Sequence, residues 1–217
     1  IDQETTTGAA ALAPEVLAEA VDECPGRLRA LMGLDPHKDD AARALERGVK
    51  ELGLHGALLC PFLHRLPADD QAYRPIYNKC IELGVPVWIH TSVNWAQAHP
   101  MELGRPLALD RLCGEMPGLK VIAGHGGWPW VPEMVAAAWR HPNLYIDPSG
   151  HRWKYLATPN SGWEMLLHFG NTVLQNEVLF GTGWPRMPRS LAENAAEARA
   201  LAIKPAVTEK WIGGNSA

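Results

Sequence analysis

Two histidines stand at the ends of short apolar runs. Trp88-Ile89-His90-Thr91 closes one, and Ala123-Gly124-His125-Gly126-Gly127 closes another. A third run, Phe180-Gly181-Thr182-Gly183-Trp184-Pro185, places glycine where a comparable site would place an acid. Imidazole both ligates divalent metals and moves protons near neutral pH, so such ends can do metal or acid–base chemistry. Gly126 and Gly127 leave room for a ligand to approach the backbone. Other polar residues fall just past similar runs: His64, Asp147 with His151, and Thr182. A lone histidine is as readily structural as catalytic, and His64 and His151 carry that alternative. His37, His55, His99, His141 and His168 read as surface residues. Arg74, Arg152 and Arg186 are candidate clamps for a carboxylate, or else members of surface ion pairs. Trp88, Trp95, Trp128 and Trp184 suit either the wall of an aromatic pocket or core packing.

The elements that must position these residues alternate. Helices are expected over Ala13–Cys24, Asp40–Leu52, Asp69–Leu83, Pro106–Met116, Trp130–Arg140 and Ser161–Phe169, then over Ser190–Ala202 and Pro205–Trp211. Asp39 or Asp40 can cap the second of these and Gly53 can end it. Strands are expected over Leu28–Leu34, Gly56–Cys60, Val85–His90, Leu119–Gly124, Leu144–Asp147 and Val178–Gly181. These strands are short, continuous and rich in Val, Ile and Leu, as parallel strands buried on both faces are. Strand followed by helix, repeated, argues for an α/β fold. The polar residues gather at strand C-terminal ends, where a βα barrel keeps its chemistry. No glycine fingerprint of a dinucleotide or P-loop site is present.

The 217 residues suit a single domain, with 47% hydrophobic and 20% charged residues. The net charge is −4, and no basic cluster offers a nucleic-acid footprint. No apolar run approaches the ~20 residues of a membrane helix. Scattered Cys24, Cys60, Cys80 and Cys113 form no C-x-x-C pair and read as reduced thiols of a cytoplasmic protein.

Five segments in order resemble the amidohydrolase-2 family, which includes aminocarboxymuconate semialdehyde decarboxylase. They are Leu83-Gly84-Val85-Pro86-Val87-Trp88-Ile89-His90-Thr91, Leu119 to Gly127, Pro142 to Gly150, Leu179 to Pro185, and Trp211 to Ala217. The resemblance implies a distorted (β/α)8 TIM-barrel-like fold, commonly dimeric, holding a divalent metal, usually zinc. It implies His90 as a metal ligand and His125 as catalytic acid or base. At the family's aspartate ligand this chain has Gly183, and Glu4 would stand at the first-strand ligand position, with Thr6 in place of a histidine. Six strand-like runs stand where a closed barrel needs eight. The first one or two βα units are therefore expected to be missing or divergent, with residues 1–12 a tail or a remnant of the first strand.

Three functions follow. The first is an amidohydrolase-type enzyme acting on a small carboxylated or carbonyl substrate, by hydrolysis or, as runner-up, by C–C cleavage or decarboxylation. Its site would comprise His125 and Asp147 as catalytic residues and His90 and Glu4 at the metal. Arg74, Trp128, His151, Arg152 and Trp184 would bind substrate. The second is a metal-independent enzyme on the same barrel, motivated by Gly183. The third is a non-catalytic relative that keeps only a pocket. The expected partners are a small-molecule substrate and a second copy of the chain, with no nucleic acid or membrane.

Overall fold

Five parallel strands lie side by side in chain order in a computed structural model that describes residues 1–216. They are β1 (Met32–Gly33), β2 (Ala57–Leu59), β3 (Val87–His90), β4 (Val121–Gly124) and β5 (Leu144–Asp147). Helices in the first half are α1 (Glu4–Thr7), α2 (Pro14–Glu23), α3 (Ala41–Lys50), α4 (Pro61–His64) and α5 (Arg74–Leu83). The second half adds α6 (Leu107–Glu115), α7 (Val131–Arg140), α8 (Trp153–Leu156), α9 (Glu164–Gly170), α10 (Leu191–Arg199) and α11 (Pro205–Ile212). Each pair of neighbouring strands is joined by a crossover that contains a long helix, as parallel pairing demands.

The expected helices form because their ends are written locally. Proline occupies one of the first two positions of α2, α5, α7 and α11, where its missing N–H is no loss. Gly84 stops α5 in the left-handed conformation, and Ser190 with Glu193 forms a capping box on α10. Asp40 precedes α3 but makes no side-chain cap. The α4 and α8 turns, which no periodicity announces, carry His64 and Trp153.

Two expected strands shrink most. Leu28–Leu34 contracts to β1, which pairs only with β2. One face of it is covered by the backbone of Ile1 and Asp2: a Cβ added to Gly33 would lie 3.0 Å from Asp2 N. Val178–Gly181 contributes one parallel bridge, Ile146↔Val178. Beyond it the Gly181 carbonyl accepts the Trp153 indole N–H and the chain turns away. The sheet is therefore open among the described residues, with no pairing between β1 and β5.

Residues 1–9 are docked rather than loose. They fold back through α1 and a Gln3–Ala9 bridge. Asp35 accepts the backbone N–H and hydroxyl of Thr5, and the Thr6 hydroxyl donates to the Leu63 carbonyl at 2.8 Å.

The core lies between the sheet and its helices. Leu45, Leu59, Ile89, Leu112, Val121 and Ile146 are fully buried there. Truncating such a residue to alanine costs about 2–5 kcal/mol. All four cysteines are free thiols. Among the described residues no helix is long and apolar enough to cross a membrane.

Candidate active site

Strand register sets the site. His90 lies level with Gly124, and Gly124 lies level with Asp147 on the next strand. His125 follows immediately and takes a left-handed backbone, φ 68°. That conformation costs a residue with a side chain on the order of 1–2 kcal/mol, so the surrounding fold is what holds it.

The ring of His125 is fixed from behind. Its Nδ1 lies 2.7 Å from the Ser149 carbonyl oxygen. A carbonyl only accepts, so Nδ1 carries the proton and Nε2 is left as the nitrogen free to exchange one. Ser149 is held in turn by Asp147, whose carboxylate accepts the Ser149 N–H and hydroxyl, both at 2.8 Å, and the Trp88 indole N–H at 2.9 Å. Trp88 closes the loop by meeting His125 edge-on at 5.3 Å. Gly150, at φ 81°, must lack a side chain, because a Cβ there would lie 2.9 Å from His125 Nδ1.

His90 stands 4.8 Å from His125, ring centre to ring centre. It is 2% exposed, and burial, reinforced by the neighbouring His125, pushes its pKa down to about 3. His90 is therefore neutral, and its buried Nδ1 has no hydrogen-bond partner. His151 is likewise pushed down to about 4, by burial first and His125 second. All three histidines line one cavity of about 230 Å³, together with Trp95, Arg186 and Met187.

The other expected site residues are placed elsewhere. Asp147 does not line the cavity, and its oxygens are taken by Trp88 and Ser149, so it positions and does not react. Glu4 pairs with Lys38 at 2.6 Å and is half exposed, away from the cavity lining. Arg74 pairs with Glu115, and Arg152 with Glu197. Arg152 and His151 line a separate cleft with Thr182. Trp128 donates to the Ser161 carbonyl and packs against His151, behind the cavity wall. Trp184 is 64% exposed and outside the lining. Trp163 fills the space beside Gly126, which therefore admits no ligand. His64 is structural: fully buried, it donates to the Asp2 carbonyl and accepts from the Tyr73 hydroxyl.

Comparison with known proteins fits this arrangement. A family profile described as amidohydrolase matches residues 2–217. The chain belongs to the amidohydrolase family. It is 28% identical to a gamma-resorcylate decarboxylase of Rhodococcus jostii, over 85% of this chain and 68% of that enzyme. Of a second curated relative it spans 64%. Among solved structures, an uncharacterized TIM-barrel protein from Bordetella bronchiseptica superposes with a TM-score of 0.81 at 26% identity. That match covers 98% of this chain and 78% of the other. A dihydroxybenzoic acid decarboxylase from Polaromonas, with bound manganese and 2-nitroresorcinol, gives 0.71 at 25% identity, over 99% and 75%. The barrel-type α/β fold read from the sequence stands, as an open segment of it.

A divalent metal belongs to the chemistry of this family, and manganese is the ion named in the Polaromonas relative. The donors of this amidohydrolase do not fit a complete centre. His90 Nδ1, buried and unpartnered, and His125 Nε2 are two nitrogen donors, whereas a catalytic centre of the zinc type uses three protein ligands. No group of three or more suitable side chains occurs among the described residues. At the position of the expected aspartate, Gly183 has φ 72° and no donor.

Proposed function

We propose that this amidohydrolase removes the carboxylate from a small aromatic acid, with His125 as the proton donor. The observation that carries the reading is the Nδ1–H bond from His125 to the Ser149 carbonyl, which leaves Nε2 as the exchangeable nitrogen of a ring lining the cavity. In the step, protonated Nε2 gives its proton to the ring carbon that bears the carboxylate. The electron pair of the C–C bond returns to the ring as CO2 leaves, and solvent reprotonates His125. Attack by a proton on a ring carbon is favoured by electron-donating hydroxyls, in keeping with the decarboxylases among the relatives.

The surroundings favour departure. Phe62 and Trp95 pack edge-on around His90, at 4.6 and 5.8 Å, and His90 is uncharged. A wall without charge disfavours the carboxylate relative to the neutral CO2 it releases, which lowers the barrier by raising the ground state. No step here uses a metal. Hydrolysis is less well supported, because it relies on metal to bring the pKa of water from 15.7 to about 7. Zinc, implied by the resemblance, is offered two imidazoles and no third donor.

The test is incubation of the purified chain with 2,6-dihydroxybenzoate and its isomers, following CO2 release and the resorcinol-type product by chromatography. Turnover in the wild type that H125A lowers by about 10²–10⁴-fold is expected. Turnover undiminished in H125A overturns the role, and hydrolysis of an ester or lactone without any CO2 release overturns the reaction class. A homodimer remains our proposal for the assembly, to be measured by light scattering.

A further inference from the structure

One permanent charge faces the histidine cavity. No carboxylate is among its described lining residues, and Arg186 is the cation there whose charge needs no proton uptake near neutral pH. The other two candidate clamps are committed to Glu115 and Glu197. Arg189, three residues on, faces Glu193 and Glu197, whereas Arg186 has no acidic partner among the described residues.

Arg186 is held by an aromatic shelf. Its guanidinium carbon lies 4.3 Å from the ring centre of Trp95. Trp95 meets Phe62 edge-on at 5.0 Å, and Phe62 meets His90 at 4.6 Å. The shelf thus runs from the charged group to the reacting end of the cavity. A guanidinium stacked on an indole keeps its in-plane N–H donors free, in the fork that matches a carboxylate.

The group it grips is not the one that leaves. During decarboxylation, negative charge flows out of the reacting carboxylate into the ring. A guanidinium on that carboxylate would stabilise the ground state more than the transition state and slow the reaction. The neutral wall of Phe62 and His90 suits the departing group, and the exposed guanidinium suits an acid that stays.

The geometry points to Arg186 on Trp95 as a subsite for a second anionic group, a carboxylate borne on the substrate ring and retained in the product. The word "second" rests on the decarboxylation reading; the subsite itself does not. Isothermal titration with benzoate and with neutral benzamide tests it, because neither ring carries an activating hydroxyl and binding is read without turnover. The wild type is expected to bind benzoate on the order of tenfold more tightly than benzamide. R186Q is expected to bring that ratio close to one. R186K should keep part of it as a point charge, and W95L should lower it by freeing the guanidinium. Equal affinities in the wild type, or a preference that survives R186Q, overturns the subsite. An Arg186-dependent preference in a chain that releases no CO2 from any hydroxybenzoate upholds the subsite and overturns the decarboxylase reading. CO2 release without that preference does the reverse.

Discussion

At the scale of single residues, His125 is the group around which the others are arranged, and it sits in a conformation that histidine does not choose unaided. Its left-handed φ, its bond to Ser149 O and the bare Cα of Gly150 are one arrangement. H125A should lower turnover about 10²–10⁴-fold, the usual range for a lost general acid, while the urea midpoint stays near that of the wild type. A matching loss of folding would instead make His125 structural. G150A is the sharper test. The added methyl both crowds His125 Nδ1 and forces a side chain into a left-handed backbone, at about 1–2 kcal/mol. Turnover should drop with it although no functional atom has been removed, and unchanged kcat would show that the ring needs no fixed seat. His90 and His125 were legible in the sequence because both end apolar runs. Ser149 was not, because it acts through a backbone carbonyl, which every residue possesses. Asp147 reads as catalytic because it is a strand-end acid, but it does not line the cavity and its oxygens are occupied by Trp88 and Ser149.

At the scale of elements, the order of strands and long helices was legible because Val, Ile and Leu runs alternate with capped, proline-initiated helices. What was hidden is non-local. The docking of α1 against the start of the sheet depends on Lys38, Asp35 and His64, far apart in sequence. This docking makes a pH prediction. His64 is buried and its pKa lowered, by desolvation first; His151 is lowered to about 4 for the same cause. A histidine whose folded pKa lies below its unfolded value of about 6.5 binds protons more readily when unfolded. Stability is therefore full above that pH and falls as the pH drops toward the folded value. Between about pH 6.5 and pH 5 His151 should withdraw on the order of 1–2 kcal/mol, and His64 acts in the same direction. Asp35 adds to this lower down. Burial would raise its pKa, but hydrogen bonds from Thr5 and the His37 N–H outweigh burial and hold it below the usual carboxylate range. Its contribution is thus lost only below about pH 4. Urea midpoints should decline from pH 7 to pH 5 in the wild type and decline less in H64N, which starts lower. A flat wild-type profile would show that these histidines protonate without unfolding the chain.

At the scale of the whole molecule, the amidohydrolase frame brings His90, His125 and His151 to one cavity while offering a metal too few donors. Two imidazoles hold a divalent ion weakly and exchangeably. Manganese or zinc titrated into the chain should therefore bind in rapid exchange, be lost on gel filtration, and leave well under one equivalent by elemental analysis. H90A should remove what binding there is. Replacing Gly183 by aspartate supplies the missing carboxylate by type, yet position is the harder requirement. A Cβ at Gly183 would lie 3.1 Å from both Gly150 N and Met187 Cγ, on a backbone at φ 72°. Asp tolerates that φ better than most residues, but the Gly150 backbone and Met187 would have to give way to admit its Cβ. G183D is accordingly expected to stay weak in metal, and also to disturb His125, because Gly150 is the neighbour it would push. A tight, stoichiometric metal in G183D would mean that the 181–187 loop rearranges freely. The same result in the wild type would mean that donors beyond His90 and His125 close the site, and the metal-free proton transfer argued from Ser149 and His125 would have to be abandoned.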